Sequence, residues 1–331
     1  MSPPLLAIND LKVHFAIPRG LFGRDRAVVH AVDGVSFEIA RGETLSLVGE
    51  SGCGKSTVAR TLLRLLQPTS GQIVLKGRRI DDLSPGAFRP LRRAIQIVFQ
   101  DPFSSLNPRL TVRAALSEPM RNFGLASSPA DLGRRLDALM ARVGLPRDAL
   151  DRFPHEFSGG QRQRIGIARA LAPEPDLVVC DEAVSALDVS VKAQIVNLFQ
   201  DLQRELGLAL LFISHDLAIV EHMTDRVAVM YLGRIVEIGP RREIFGAPKH
   251  PYTQALLSAV PVPDPAAERQ RAPLSGDVPS PVNPPKGCHF HTRCPKVFDR
   301  CRCETPFLKA VSPDRSTACH LYDEPAGAIA A

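Results

Sequence analysis

The sequence predicts an α/β fold built around a parallel sheet. Three short apolar runs have the composition of buried parallel strands: Thr44–Val48, Leu177–Cys180 and Leu208–Ile213. Leucines at helical spacing follow the first run over Val58–Leu66, and a helical pattern over Val191–Leu206 separates the other two. This alternation of strand and helix is typical of α/β proteins.

The residues between the first strand and its helix match a phosphate-binding loop. From Gly49 to Ser56 they read Gly-Glu-Ser-Gly-Cys-Gly-Lys-Ser, and the glycines permit a turn whose backbone amides point at one anion. Lys55 is expected at the β- and γ-phosphates, Ser56 on magnesium and Thr57 near the α-phosphate. The loop therefore predicts binding of ATP or GTP. Its expected nucleotide contacts are Gly49, Ser51, Gly52, Cys53, Gly54, Lys55, Ser56 and Thr57.

Composition indicates an ordinary globular protein. A chain of 331 residues exceeds the usual size of a single core, so one large domain with an appendage is expected. No apolar run is long enough to cross a bilayer and no signal peptide is recognisable, which predicts a cytoplasmic protein. The net charge of +6 is scattered along the chain and is weak evidence for an anionic partner.

The flanking segments predict two further subdomains. From Leu5 to Glu38, short apolar stretches indicate β-hairpins with a loop inserted at about Ile17 to Val28, and a second β piece is expected near Gln72 to Ile80. A helical subdomain is predicted from Arg109 to Leu171. Its central helix has apolar side chains on one face, at Leu132, Leu136, Leu139 and Val143.

Two carboxylates follow the second buried strand directly. Asp181 suits magnesium and Glu182 suits water, because ligands of open α/β folds bind at the carboxyl edge of the sheet. Such a pair is also common in solvated turns, so its function depends on the accompanying motifs. One of these is a second anion site: the segment from Phe157 to Gln161 opens a helix, and Ser158, Gly159 and Gly160 form its amide-rich positive start.

Together these motifs resemble the nucleotide-binding subunits of ABC transporters. The resemblance implies an ABC-type P-loop ATPase with a RecA-like core, an antiparallel β-subdomain and the helical subdomain. It also implies that Gln100 belongs to the glutamine loop and is a magnesium ligand, that Asp188 ends a loop crossing the dimer interface, and that His215 is the switch histidine. Phe15 is similar to the aromatic residue that stacks on adenine, although a core phenylalanine is nearly as consistent.

The same resemblance implies how the residues act. Lys55, Gln100, Glu182 and His215 would be catalytic, with Glu182 polarising the attacking water and His215 holding the γ-phosphate. The signature residues Ser158 to Gln161 would cap ATP held by a second ATPase subunit. Two membrane permeases would use the resulting closure for transport, at the cytoplasmic face of the inner membrane.

Several segments are similar to the oligopeptide and dipeptide importer branch. Ala183-Val184 replaces the Pro-Thr that many members have after the catalytic glutamate. Asp101-Pro-Phe-Ser-Ser-Leu-Asn-Pro-Arg109 and His250-Pro-Tyr-Thr253 match that branch. Peptide cargo, delivered by an external binding protein, is therefore expected. An importer of the same branch for glutathione or nickel is the nearer alternative, and a soluble ABC ATPase of DNA repair or translation, which would bind nucleic acid, is the more distant one.

The C-terminal part carries a cysteine cluster. The ATPase domain is predicted over residues 1–260, a linker with eight prolines over 261–285, and an extension over 286–331. Clustered thiols in a cytoplasmic chain indicate a metal rather than disulfides. The resemblance implies a four-iron, four-sulfur cluster on Cys288, Cys294, Cys301 and Cys319. Zinc, Cys303 in place of Cys301, and metal-free thiols remain alternatives, since His289, His291 and His320 are also present.

Overall fold

The computed structural model describes residues 3–19, 25–101, 106–259 and 276–323. Within them the strands are β1 Leu6–Arg19, β2 Asp25–Ile39, β3 Thr44–Val48, β4 Ser70–Leu75, β5 Arg78–Arg79, β6 Ile95–Val98, β7 Leu177–Asp181, β8 Ala209–Ile213, β9 Arg226–Tyr231, β10 Arg234–Pro240, β11 Lys309–Ser312 and β12 Arg315–Thr317. The α-helices are α1 Lys55–Leu62, α2 Pro85–Phe88, α3 Val112–Asn122, α4 Pro129–Arg142, α5 Gly159–Leu171, α6 Val189–Leu206, α7 Leu217–Met223, α8 Arg241–Gly246, α9 Pro251–Ser258 and α10 Asp299–Cys303.

An eight-stranded mixed sheet carries the predicted site. Its order is β11-β12-β10-β9-β3-β8-β7-β6, in which the five strands from β9 to β6 are parallel and the other three are antiparallel. The α/β prediction is confirmed. Because β3, β6, β7 and β8 run in the same direction in this part of the sheet, the loops that follow them meet at one edge.

Both faces of this sheet are buried. Val178 and Cys180 of β7 pack into a core shared with the helical subdomain, whereas Leu177 and Val179 pack into a second core shared with the antiparallel sheet. Successive strand residues point to opposite faces, so one apolar strand contributes to both cores. The sheet is therefore held from both sides, and its site edge has a rigid support.

The helical subdomain contains α3, α4 and the start of α5. Leu136, Leu139 and Val143 are buried and Leu132 packs against the same core, as expected for one apolar face. Each of the three helices begins at a side-chain cap that accepts a hydrogen bond from the backbone amide three residues later. These caps are Thr111, Ser128 and Ser158. Short 3₁₀ turns at residues 147–151 and 154–156 connect α4 to α5.

The N-terminal antiparallel sheet has the order β2-β1-β4-β5 and differs from the sequence expectation. The sequence predicts a loop at about Ile17 to Val28, but β1 and β2 form one long hairpin whose pairing continues through Ile17 and Ala27 to Arg19 and Asp25. Proline has no backbone N–H to donate, which is tolerated at the edge of a sheet. Pro18 meets this condition, because β4 pairs with β1 only as far as Lys12 and β1 therefore has β2 as its one paired neighbour at Pro18.

The extension adds the last two strands to the main sheet. β11 and β12 form a short hairpin, and β12 pairs with β10 at Glu237 and Ile238. Of the predicted linker, residues 276–285 have neither helix nor strand and residues 261–275 lie outside the described ranges, as do residues 260 and 324–331. Among the described residues, no helix has the length and apolar character needed to span a membrane.

Candidate functional site

The phosphate loop requires glycine at two close backbone approaches. A β-carbon at Gly49 would lie 2.1 Å from the Met230 carbonyl oxygen, and one at Gly54 would lie 2.1 Å from the Ala31 carbonyl oxygen. Both glycines also have positive φ values, +152° and +107°. No other residue type combines this backbone conformation with the absence of a side chain. The phosphate loop is therefore packed tightly between β9 of the main sheet and β2.

Lys55 is folded into the loop that it follows. Its Nζ donates hydrogen bonds to the carbonyl oxygens of Gly49 at 2.8 Å and Glu50 at 3.0 Å, and the residue is buried. The ammonium group thus lies inside the turn that is expected to hold phosphates. Around it, the neighbouring residues differ in exposure: Cys53 is buried, Thr57 is half-buried, and Ser51 and Gly52 are exposed.

Ser56 and Asp181 form the pair expected to hold magnesium. The Ser56 hydroxyl donates to Asp181 Oδ1 at 2.8 Å, and this links the start of α1 to the end of β7. Burial raises the pKa of Asp181, and the Ser56 hydrogen bond only partly opposes that effect. A hydroxyl beside a buried carboxylate offers the hard oxygen donors that magnesium prefers, so these residues fit the ion.

Three predicted catalytic residues meet at the sheet edge. The Gln100 side-chain amide donates to Glu182 Oε2 at 3.0 Å, and His215 Nδ1 lies 3.5 Å from Glu182 Oε1. Glu182 has a left-handed φ of +50°, while its amide donates to the Ile213 carbonyl and its own carbonyl accepts from Ser185. These two neighbours hold an uncommon backbone conformation from which the carboxylate reaches Gln100 and His215.

The signature residues form a separate part of the site. Ser158 and Gln161 make a reciprocal capping box at the start of α5. A β-carbon at Gly160 would lie 2.6 Å from Val191 Cγ1, so α5 packs closely on α6. Asp188 caps α6, and the hydrogen bond from the Val191 amide holds the pKa of its carboxyl below the usual value. These described contacts join the signature residues to α6 and not to the phosphate loop.

Phe15 lies on the hairpin surface rather than in a core. Its side chain belongs to β1 opposite Val29, and 38% of the residue is exposed. Ile17 and Val28 are exposed nearby on the same hairpin. Phe15 is therefore not a core phenylalanine, which is the alternative to base stacking. An exposed aromatic face suits base stacking.

Four cysteines of the extension line one small cavity. Cys288, Cys294, Cys301 and Cys319 surround it together with His250, His291 and His320. Burial raises the pKa of the thiols of Cys288, to about 11, and Cys319, to about 12. Cys303 is exposed, and its sulfur contacts the carbonyls of Asp299 and Arg300 instead. The geometry thus separates Cys301 from Cys303.

Two side-chain groups near the site have no obvious sequence signal. Arg293 makes a bidentate ion pair with Glu50 of the phosphate loop, although 243 residues separate them. His14, His30 and Asp33 place one possible metal-binding atom each within 4.8 Å of one another. Asp33 also receives two hydrogen bonds from Arg234, which gives this second group a structural explanation.

The sequence of this chain matches two known protein families. The family described as "ABC transporter" matches residues 32–185, and "Oligopeptide/dipeptide transporter, C-terminal region" matches residues 236–301. A Sinorhizobium fredii relative, "Probable peptide ABC transporter ATP-binding protein y4tS", is 56% identical over 97% of this chain and 91% of its own. The Bacillus subtilis "Oligopeptide transport ATP-binding protein AppF" is 52% identical over 96% and 97%.

Solved structures agree with these sequence relatives. The Clostridium perfringens protein cbiO1, described as part of an ABC transporter complex, is similar at a TM-score of 0.64 and 29% identity, covering 74% of this chain and 92% of that one. The ATP-binding cassette MJ0796, described as a dimer bound to ADP and Pi, is similar at a TM-score of 0.63 and 26% identity, with coverages of 72% and 99%. On its motifs, fold and relatives, the chain belongs to the ABC transporter family, among the ATP-binding proteins of that family.

Proposed function

We propose that this protein is the ATP-hydrolysing subunit of an ABC importer for oligopeptides or dipeptides. The observation that carries the proposal is the meeting of Gln100, Glu182 and His215 at the sheet edge that also holds the Ser56–Asp181 pair. The peptide-transporter match of residues 236–301 and the names of the relatives support peptide cargo. Glutathione or nickel as cargo remains the competing assignment within the same branch.

In this proposal each group has a limited electrostatic task. Lys55 exchanges the Gly49 and Glu50 carbonyls for phosphate oxygens. Ser56, Asp181 and Gln100 would hold magnesium, which would supply positive charge to offset that of the phosphates. Glu182 accepts a hydrogen bond from the attacking water, and His215 contacts the γ-phosphate. Phe15 stacks on the adenine, and the exposure of its ring at the hairpin surface supports this role.

The site is completed by a second ATPase subunit. Ser158 to Gln161 begin a helix in which the capping box engages the amides of Ser158 and Gln161, while the amides of Gly159 and Gly160 lie between them and suit an anion. The described contacts of these residues are with α6 rather than with the phosphate loop of the same chain. A partner cassette, identical or paralogous, would present its own signature residues to this loop. Two permeases and an external peptide-binding protein complete the importer at the cytoplasmic face of the inner membrane, and nucleic acid has no role.

Affinity purification from gently solubilised membranes tests this assignment. We expect two multi-span permeases and an ATPase subunit to remain bound in fixed stoichiometry, as identified by mass spectrometry. Uptake of labelled dipeptides and oligopeptides by cells that contain or lack the protein then tests the cargo. Recovery of ribosomal or DNA-bound partners without permeases contradicts the proposal, and uptake defects restricted to glutathione or nickel contradict peptide cargo.

We also propose that the extension holds a four-iron, four-sulfur cluster on Cys288, Cys294, Cys301 and Cys319. The four thiols line one cavity, and four thiolates are the donor set of such a cluster. In the described residues no three of these sulfurs lie within 4.8 Å of one another, whereas tetrahedral zinc would hold sulfurs about 3.8 Å apart. Four irons hold the thiolates farther apart than one metal ion does. Both ring nitrogens of His320 are already hydrogen-bonded, which disfavours this histidine as a zinc ligand.

Anaerobic purification of two matched variants tests the cluster. The wild-type protein and Cys303→Ser are expected to be brown, with broad absorbance at about 400 nm and four irons per chain. Cys301→Ser is expected to lose most of that colour and iron, because Cys301 lines the cavity and Cys303 does not. Colourless wild-type protein with stoichiometric zinc contradicts the proposal, and so does equal loss in both variants.

A further inference from the structure

The cysteine-bearing extension contacts the phosphate loop directly. Arg293, one residue before Cys294, donates from Nη1 to Glu50 Oε2 at 2.8 Å and from Nη2 to Glu50 Oε1 at 3.1 Å. The Arg293 side chain is 6% exposed and that of Glu50 is 24% exposed. A fork-to-fork pair at such burial has fixed geometry and is screened less by water than a surface pair.

The base of this contact is a buried aromatic cluster. Phe290 packs edge-on against Tyr231 and Tyr252, with ring centroids 5.3 and 5.4 Å away. The Arg293 amide donates to the Phe290 carbonyl, so the turn that carries the guanidinium begins in this cluster. All three aromatic residues are about 1% exposed or less. Arg293 is thus positioned by a packed core rather than by a free surface loop.

Glu50 is restrained through all three of its polar groups. Its amide donates to the Tyr252 hydroxyl at 2.9 Å, its carbonyl accepts from Lys55 at 3.0 Å, and its carboxylate is paired with Arg293. Glu50 is the second residue of the phosphate loop, directly after Gly49. The extension and α9 therefore hold the entrance of the phosphate loop together.

We propose that Arg293 is a positioning residue for ATP binding, through which the cysteine-bearing extension holds the phosphate loop by its Glu50 carboxylate. Pairing does two things there. It fixes the direction of the loop at Glu50, and it offsets a negative charge that would otherwise lie beside the bound phosphates. The proposal rests on the proposed ATP binding by the loop and not on which metal the cysteines hold.

A double-mutant cycle on the full chain tests the charge part. Arg293→Met is expected to weaken ATP binding about tenfold, with a larger change in KM than in kcat, because it leaves the Glu50 carboxylate unpaired. Arg293→Lys keeps the charge but loses the fork, so about a threefold loss is expected. Adding Glu50→Gln to Arg293→Met should restore the affinity to within about threefold of wild type. Wild-type affinity in Arg293→Met overturns the proposal, and so does a double variant as weak as the single one. Absence of ATP binding in the wild-type protein would instead overturn the proposed function itself.

Hydrogen exchange tests whether the extension and the phosphate loop are coupled. A contact that only stabilised the fold would not make exchange in the extension depend on nucleotide. Because coupling between two sites is reciprocal, a non-hydrolysable ATP analogue should slow exchange in residues 288–294 of the wild-type protein. Residues 309–317, in the hairpin of the same extension, serve as the internal control and should not change. The slowing should disappear in the Glu50→Gln/Arg293→Met variant. Unchanged exchange at 288–294 in the wild type, or equal slowing in the double variant, overturns the proposal.

Discussion

Glu182 shows how a single backbone conformation positions a carboxylate for the catalytic role proposed for it. Its φ of +50° is uncommon for a residue with a side chain, and it occurs directly after the last residue of β7. The carboxylate is then held between the Gln100 amide and the His215 ring. A strained backbone conformation persists only where surrounding contacts fix it. Here the hydrogen bonds of the Glu182 backbone with Ile213 and Ser185 do so.

Replacing Glu182 by glutamine should separate ATP binding from hydrolysis. The Glu182→Gln side chain keeps the size of the carboxylate but cannot accept a proton, so turnover should fall by at least about a hundredfold. Steady-state hydrolysis and equilibrium binding of a fluorescent ATP analogue measure the two effects. Glu205→Gln, at an exposed position of α6, is the matched control and should hydrolyse ATP normally. Near-normal hydrolysis in Glu182→Gln would exclude the proposed role.

Gly54→Ala should prevent the phosphate loop from keeping its shape. The new β-carbon would meet the Ala31 carbonyl oxygen at 2.1 Å, and the backbone φ of +107° is itself strained for alanine. We expect ATP affinity to fall at least about tenfold, because the amides no longer converge on the phosphates. Gly246→Ala adds a β-carbon in open space and is the control. Equal affinity in the two variants contradicts this account of the loop.

At the scale of elements, α4 illustrates how backbone angle decides the effect of a substitution. Gly133 lies inside α4 and Gly124 lies in the turn after α3, and an added β-carbon meets nothing within 4 Å at either position. Of these two glycines, Gly124 alone has a left-handed φ, of +64°. The two positions therefore differ in backbone conformation while offering the same free space.

Alanine should consequently have opposite effects at these two glycines. Gly133→Ala is expected to stabilise the protein by about 0.5–1 kcal/mol, because alanine loses less chain entropy in a helix. Gly124→Ala is expected to destabilise it by about 1 kcal/mol, because alanine is strained at positive φ. Urea unfolding measures both changes. The same sign of change at both positions would show that space, and not backbone angle, controls the outcome.

Elements are predictable from the sequence where the pattern is local. The strand, phosphate loop and helix from Thr44 onward follow from composition and spacing, and the structure has β3, the loop and α1 in that order. The far end of the β1–β2 hairpin is not predicted, because Pro18 and the nearby glycines are typical of a loop. Proline is tolerated there because β1 pairs only with β2 at that point. β11 and β12 are not predicted either, since four and three residues are too few for an alternating pattern.

At the scale of the whole molecule, a buried ion pair joins the extension to the ATPase core. Arg315 of β12 binds the carboxylate of Glu237 on β10, and both side chains are almost fully buried. The same carboxylate accepts hydrogen bonds from the backbone amides of Lys249 and His250, in the turn before α9. Glu237 therefore organises three separate segments. No sequence pattern indicates this pair, because its partners are 78 residues apart.

Removing Arg315 should loosen the extension and destabilise the whole chain. Arg315→Met leaves the buried Glu237 carboxylate without its cationic partner, so the free energy of unfolding should fall by about 3 kcal/mol. Urea unfolding followed by circular dichroism measures the change. Arg204→Met, which breaks an exposed pair with Asp201, should change stability by no more than about 0.5 kcal/mol. Equal effects of the two substitutions would contradict a structural role for the buried pair.

The candidate site, like the fold, is predictable where its residues lie in short motifs. Such motifs identify the phosphate loop and four further residues: Gln100, Asp181, Glu182 and His215. The contact between Arg293 and Glu50 is not predictable, because it depends on how the extension folds back over the ATPase core. Contacts across such long chain separations have no periodicity and no spacing that a single sequence can reveal.

The pairing of β12 with β10 also bears on how a shortened chain would behave. β12 covers the side of β10 that β9 leaves open, at Glu237 and Ile238. A chain ending at residue 259 would lack β12, so the backbone amides and carbonyls of β10 would face solvent beside apolar residues. Open strand edges of this kind pair readily with other molecules, and the shortened protein would tend to self-associate and precipitate.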